Sequence, residues 1–298
     1  MKERIVMANV LKVERQIEVV KNLVNGQGIR GASRITGVDK DAVCRLLVRI
    51  GNGCRELMDA EMRNLSCRHF QVDEIWTFVG KKQGKLDADT KRMVFDQGDV
   101  YLWVPFDETT KLIPTFLLGK RTGDNARRLM VDLASRCNLP RATDTGVRPG
   151  VIPQISTHGF AAYPEAVDLA FADNCQYGIL VKNYRNSDMP GRYAPPEMID
   201  TERRVVRGNI DAFSICTSHV ERNNLTILSF MRRFTRLSLG FSKKLENLAA
   251  ATALHVAYFN FCWEMRNSHG PGKLPAPAVA AGVIREVWSI EDLFNAVG

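Results

Sequence analysis

Between residues 65 and 70 the apolar side chains change their spacing, and that change limits what the chain can fold into. Upstream, Val13, Ile17, Val20 and Val24 recur at helical intervals and end at Asn25-Gly26, a stop signal. A second short helix fits Ile29 to Ile35, broken by Thr36-Gly37. Val43, Leu46, Leu47 and Ile50 then predict a third helix that stops at Gly51. Three short helices with glycine-containing turns are the grammar of a helix-turn-helix module, here over residues 1–65. Downstream, Phe70, Val72, Trp76 and Phe78 alternate with Gln71, Asp73 and Thr77, the period of a strand.

Strand character continues over Val100 to Phe106 and Leu112 to Leu118, joined by Asp107-Glu108-Thr109-Thr110. A helix opens at Asp124 and runs to about Cys137. Strand, helix and strand follow at Val151 to Ser156, Pro164 to Phe171 and Tyr177 to Lys182. Three strands followed by helix, strand, helix, strand predict an α/β fold: a ribonuclease-H-like mixed sheet flanked by helices, preceded by an all-α helix-turn-helix domain. The sheet domain is expected over residues 66–268. Its polar stretch 186–217 reads as a surface excursion, and residues 219–266 as a long helical segment. Residues 269–298 read as a linker and a short amphipathic tail.

Lys and Arg number 41 against 33 Asp and Glu, a net charge of +8, which favours a polyanionic partner. The third helix would offer Lys40, Arg45 and Arg49 on its solvent face, where such a module meets the DNA major groove. Residues 222–245 hold six basic residues (Arg222, Arg232, Arg233, Arg236, Lys243 and Lys244) and no acid, a stretch suited to phosphates. The competing reading for both sets is a solvated basic face. Seven cysteines without CxxC spacing read as reduced thiols, not a zinc or disulfide framework. Gly26 to Gly31 matches a dinucleotide fingerprint, but a helix precedes it where a strand is required, so it reads as coincidence. No signal peptide is visible, and the apolar run Leu248 to Trp263 is too short and too interrupted to span a bilayer. It reads as a buried helix.

Three acids, Asp73, Glu74 and Glu221, bear on whether carboxylates can converge. Asp73 and Glu74 are strand neighbours, so they face opposite sides and only one can enter a given site. Asp73 shares its side with Gln71 and Thr77, while Glu74 interrupts an apolar row; neither choice is forced. Glu221 has a structural competitor, because Ser218-His219-Val220-Glu221 fits a capping box.

Gln71-Val72-Asp73-Glu74-Ile75-Trp76, Thr157-His158-Gly159 and His219-Val220-Glu221-Arg222-Asn223-Asn224-Leu225 resemble the three catalytic stations of the DDE transposases of the insertion sequence 1 family. Phe230 to Leu237, Gly240 to Asn247, Tyr258 to Cys262 and Ala280 to Val283 resemble other signature segments of the same family. The resemblance implies binding of double-stranded DNA (transposon terminal inverted repeats and target), strand cleavage and strand transfer. It implies a homo-oligomer, at least a dimer, in a prokaryotic cytoplasm. It assigns Asp73 and Glu221 to two divalent cations, Mg²⁺ or Mn²⁺, and places His158 at the second catalytic position, where the family carries aspartate. A neutral imidazole offers one lone pair and no negative charge, so it cannot bridge two hard ions. Asp168, Asp173 and Glu165 lie on or beyond the next helix and offer no substitute. An inactivating change, a working variant with a histidine ligand, and a histidine with another role such as contacting DNA all remain open at this point. A captured, non-catalytic DNA-binding derivative is the alternative function.

Overall fold

The structure is a computed structural model and describes residues 11–89, 96–144, 146–185, 197–235, 238–267 and 270–298. The described residues begin with three helices, α1 Val13–Val24, α2 Ile29–Thr36 and α3 Lys40–Glu61. Gly37 ends α2 in the left-handed region at φ 70°, a conformation without steric cost only for glycine. Asp39 caps α3 by accepting from the backbone N–H groups of Asp41 and Ala42 at 2.9 and 3.3 Å.

The helix expected to stop at Gly51 continues for ten more residues. Gly51 is a crossing point: a Cβ there would stand 2.4 Å from the carbonyl oxygen of Ala250. Gly53 plays the same part towards Val297, whose carbonyl oxygen would lie 2.4 Å from its Cβ. The glycines cost helix propensity of roughly 1 kcal/mol each. In return two other helices approach the backbone of α3 closely.

The sheet comprises β1 His69–Val79, β2 Gly98–Asp107, β3 Leu117–Gly119, β6 Gln154–His158, β7 Gln176–Arg185 and β8 Glu197–Arg207, in the order β3-β2-β1-β6-β7-β8. The β1–β2, β2–β3 and β7–β8 pairs are antiparallel, and β1–β6 and β6–β7 are parallel. A separate small ribbon pairs β4 Arg141–Thr143 with β5 Gly146–Arg148. Helices α4 Gly123–Arg136, α5 Tyr163–Phe171, α6 Ser218–Phe230 and α7 Leu245–Phe261 flank the sheet. Trp103 packs with Phe160 and Tyr163 on the α5 side, and Phe106 with Phe259 of α7 on the other. The mixed sheet with flanking helices is therefore present, and one buried core runs from α1–α3 through the sheet to α7.

Four segments differ from their sequence pattern. Leu112 to Thr115 is buried but does not ladder: Pro114 lacks a donor, and the Asn260 side chain pairs with the N–H and C=O of Ile113 at 3.0 and 2.8 Å. Residues 197–207, inside the expected excursion, form the exposed edge strand β8. The long C-terminal helical segment is two helices, because the chain leaves the first at Met231 through a 3₁₀ turn at Arg232–Phe234 and the second begins at Leu245. The tail holds α8 Pro277–Ala280 and α9 Ile290–Val297, the latter with a Ser289–Asp292 capping box.

The crossing at Gly51 yields a test. Gly51→Ala, which would stabilise an isolated helix, should instead destabilise the fold by about 1–3 kcal/mol, because backbone atoms of α7 must move. Chemical denaturation with an unchanged m-value would read that loss.

Candidate active site

Parallel pairing of β1 with β6 sets Val72 beside Thr157, so Asp73 and His158 emerge together at one point of the sheet. On β7, His158 lies opposite Leu180, and Lys182 projects two residues further along. Helix α6 begins above this point and supplies Glu221 from its first turn. Three elements distant in sequence thus bring Asp73, His158 and Glu221 together. His158 Nε2 stands 3.5 Å from Asp73 Oδ1 and 3.3 Å from Glu221 Oε1.

Alternation along β1 separates the neighbouring acids. Asp73 faces α6, where Asn224 Nδ2 donates to its Oδ2 at 2.8 Å. Glu74 faces the other side, where the Tyr163 hydroxyl donates to it and Arg121 Nε lies 3.4 Å away. Asp73, not Glu74, belongs to the cluster.

The capping box at Ser218 does not form. The N-cap position is Thr217, whose hydroxyl donates to Glu221 Oε1 at 2.6 Å. The helix is capped from outside by Gln71, whose Oε1 accepts from the N–H groups of His219 and Val220 at 2.9 and 3.1 Å. One strand therefore carries both Asp73 and the side chain that fixes the start of the Glu221 helix. Lys182 Nζ donates to Glu221 Oε1 and completes the group.

Two carboxylates face two basic groups, and their acidities follow. Burial raises Asp73 to about 6, against the opposing pull of His158. Contact with His158, then Lys182 and Thr217, holds Glu221 down at about 2 despite partial burial. His158 is lowered by burial, but Glu221 and Asp73 outweigh that, and its pKa stands above the usual histidine value. The site neutralises itself: Lys182 and a readily protonated His158 offset Asp73 and Glu221.

That donor set does not fit the pair of cations the resemblance implies. Two hard ions need carboxylate oxygens that reach both. Here the position between the two acids is an imidazole, and an ammonium already occupies Glu221. Among the described residues no group of three or more His, Cys, Asp or Glu has metal-holding geometry. The other acids are engaged elsewhere: Asp168 and Asp173 with Arg207, and Glu165 with Arg127.

A second polar chain runs beside the first. His69 Nδ1 lies 2.7 Å from Glu108 and its Nε2 3.1 Å from Ser156 Oγ, the spacing of an activated nucleophile. Ser156 is fully buried, so no substrate reaches it, and the chain serves as a strut behind Gln71.

The expected DNA contacts divide. Lys40, Arg232, Arg233 and Lys243 line one cleft between α2–α3 and residues 231–233 and 238–243. Arg45, Arg222 and Lys244 are exposed outside it. Arg49 donates to Gln16 and stacks over Phe294 at 5.9 Å, which ties three helices together. Arg236 lies outside the described residues. Sequence reasoning missed Lys182, Asn224 and Gln71. Only Gln71 carried a signal, its place on the Asp73 side of β1.

Two outcomes follow. Asp73→Asn keeps the Asn224 contact and removes a carboxylate that resists ionisation when buried, so it should raise Tm near pH 8 by a few degrees. In the unmodified chain, the raised Asp73 and His158 values both subtract stability as pH climbs. Asp73 acts from about 4 to about 6, and His158 above the ordinary histidine value. Thermal melts should therefore fall as pH climbs, and the part of the fall between about 4 and about 6 should be lost in Asp73→Asn. Separately, Gln71→Ala should cost about 1–2 kcal/mol and speed amide exchange at His219 and Val220, which hydrogen-exchange mass spectrometry would localise.

No protein-family model and no curated protein matches the chain. Among solved structures, it is similar to a Mos1 transposase paired-end complex with left transposon end and to a Mos1 strand transfer complex. Identities are 15% and 16% over 57% of this chain, with TM-scores of 0.22. The chain spans about three fifths of the length of those transposase chains, 60% and 59%. A likeness that slight carries no argument about this protein.

Proposed function

We propose that the chain is a transposase of the insertion sequence 1 type that binds double-stranded DNA at transposon ends and whose catalytic station is silenced by its own cations. The observation that carries the reading is the convergence of Asp73, His158 and Glu221 from β1, β6 and α6, the stations the sequence resemblance names. Three antiparallel strands followed by two parallel ones support a ribonuclease-H-like sheet, and α1–α3 support a helix-turn-helix unit. The basic cleft and the net charge of +8 support a phosphate partner. Joining two DNA ends in one complex calls for at least a dimer. No described helix is long and apolar enough to cross a membrane.

Silencing follows from charge. The station has two carboxylates where the resemblance implies three, and Lys182 and His158 neutralise those two. Asp73 and Glu221 remain in place, so the change at the three stations is confined to one position, and Lys40, Arg232, Arg233 and Lys243 still line the basic surface of the cleft. The second reading, a captured DNA-binding derivative, shares that surface and differs only in having no chemistry to restore.

The test is strand cleavage and transfer on DNA carrying the terminal repeats that flank the gene, with Mg²⁺ or Mn²⁺. The chain runs beside His158→Asp. The variant should cut at least on the order of a hundredfold faster. Comparable cutting by both chains would defeat the charge argument. Binding to the repeats with no cutting by either would favour the captured derivative.

A further inference from the structure

The cleft between α2–α3 and residues 231–233 and 238–243 has a volume of about 730 Å³, within the range of small-molecule sites. Its walls carry Arg30, Arg34, Lys40, Arg232, Arg233 and Lys243. The single acid among its lining residues is Asp41, already 3.3 Å from Lys40. Five cations therefore face the space without a lining carboxylate.

Arg233 is the most constrained of them. It donates to Ser242 Oγ at 2.7 Å, and its backbone carbonyl accepts from Thr77 at 2.7 Å. Among the described residues no carboxylate pairs with it, although burial pulls its pKa below the usual arginine value. A half-buried guanidinium held in place with no counter-charge is a ready seat for an anion.

The floor has a different chemistry. Met231, Leu254 and Ala251 are apolar, and His255 lies among them, 4% exposed, its Nε2 without a hydrogen-bond partner among the described residues. Burial pushes His255 down to about 4, so this nitrogen is neutral at physiological pH. A phosphate alone would use the walls and leave the floor empty. A duplex keeps its bases stacked and can offer a floor nothing but backbone. A nucleotide out of the stack brings an anion and a flat ring together.

We infer that this cleft binds an unpaired nucleotide of a DNA strand, its phosphate on Arg233 and the surrounding cations and its base on the apolar floor. The inference rests on the DNA-binding reading and adds to it the state of the DNA. Thr77, which anchors Arg233, lies four residues along β1 from Asp73, about 13 Å at the rise of a strand. A strand seated in the cleft would thus run within a few nucleotides of the His158 site.

The experiment is fluorescence anisotropy on the full chain with three labelled DNAs. One is a blunt duplex, one the same duplex with a few unpaired 3′ thymidines, and one that overhang made of abasic sugars. The thymidine overhang should bind about tenfold or more tighter than the blunt end, and the abasic overhang should lose most of that gain. Ala251→Trp, which fills the floor, should lower the ratio of overhang to blunt affinity. If that variant fails to fold by circular dichroism, the abasic comparison on the unmodified chain still decides. Equal binding of all three DNAs would overturn the cleft's role while leaving DNA binding in place. Loss of salt-sensitive binding to every DNA would overturn the DNA-binding reading itself.

Discussion

A carboxylate folded into an interior must be met by charge or hydrogen bonds, and the sheet end of this protein is arranged around that requirement for Asp73. Its side chain is 17% exposed. Asn224 gives it one hydrogen bond, and His158 Nε2 stands 3.5 Å from it, a counter-charge when protonated. His158 can do so because Glu221 supports its charge, and Glu221 in turn is satisfied by Thr217 and Lys182. Each partner answers the one before it, so the charges of the group balance as a set.

The arrangement holds only if α6 begins at the right place, and here β1 acts twice. Gln71 supplies the cap that Ser218 does not, so strand and helix are joined two residues from Asp73. At the other end of the same helix, Phe230 packs edge-on against Trp263, with ring centroids 4.6 Å apart. The helix that carries Glu221 is thus pinned at both ends by parts of the core.

Much of this was legible in the sequence, for physical reasons. Strand alternation put Asp73 and Glu74 on opposite faces, and they are. The change of period near residue 65 marked the start of the sheet, and apolar spacing located α1, α2 and the start of α3. What stayed hidden depends on partners far along the chain. Gly51 reads as a helix stop until Ala250 is seen against it. Ser218 reads as a cap until Gln71 is seen to take that role. Lys182 reads as the end of an apolar strand, and only the β6–β7 register brings it to Glu221. Leu112 to Thr115 has strand composition, yet Asn260 claims its backbone from α7.

The contact between α3 and α9 has a consequence for synthesis. Arg49 stacks over Phe294, and Gly53 receives the backbone of Val297, across roughly 240 residues of chain. At about 5–20 residues per second, the ribosome needs on the order of tens of seconds to deliver α9 after α3 has emerged. Through that interval the first helices are complete, but the side of α3 that receives α9 is bare. The nascent chain must keep that surface from other partners until α9 arrives.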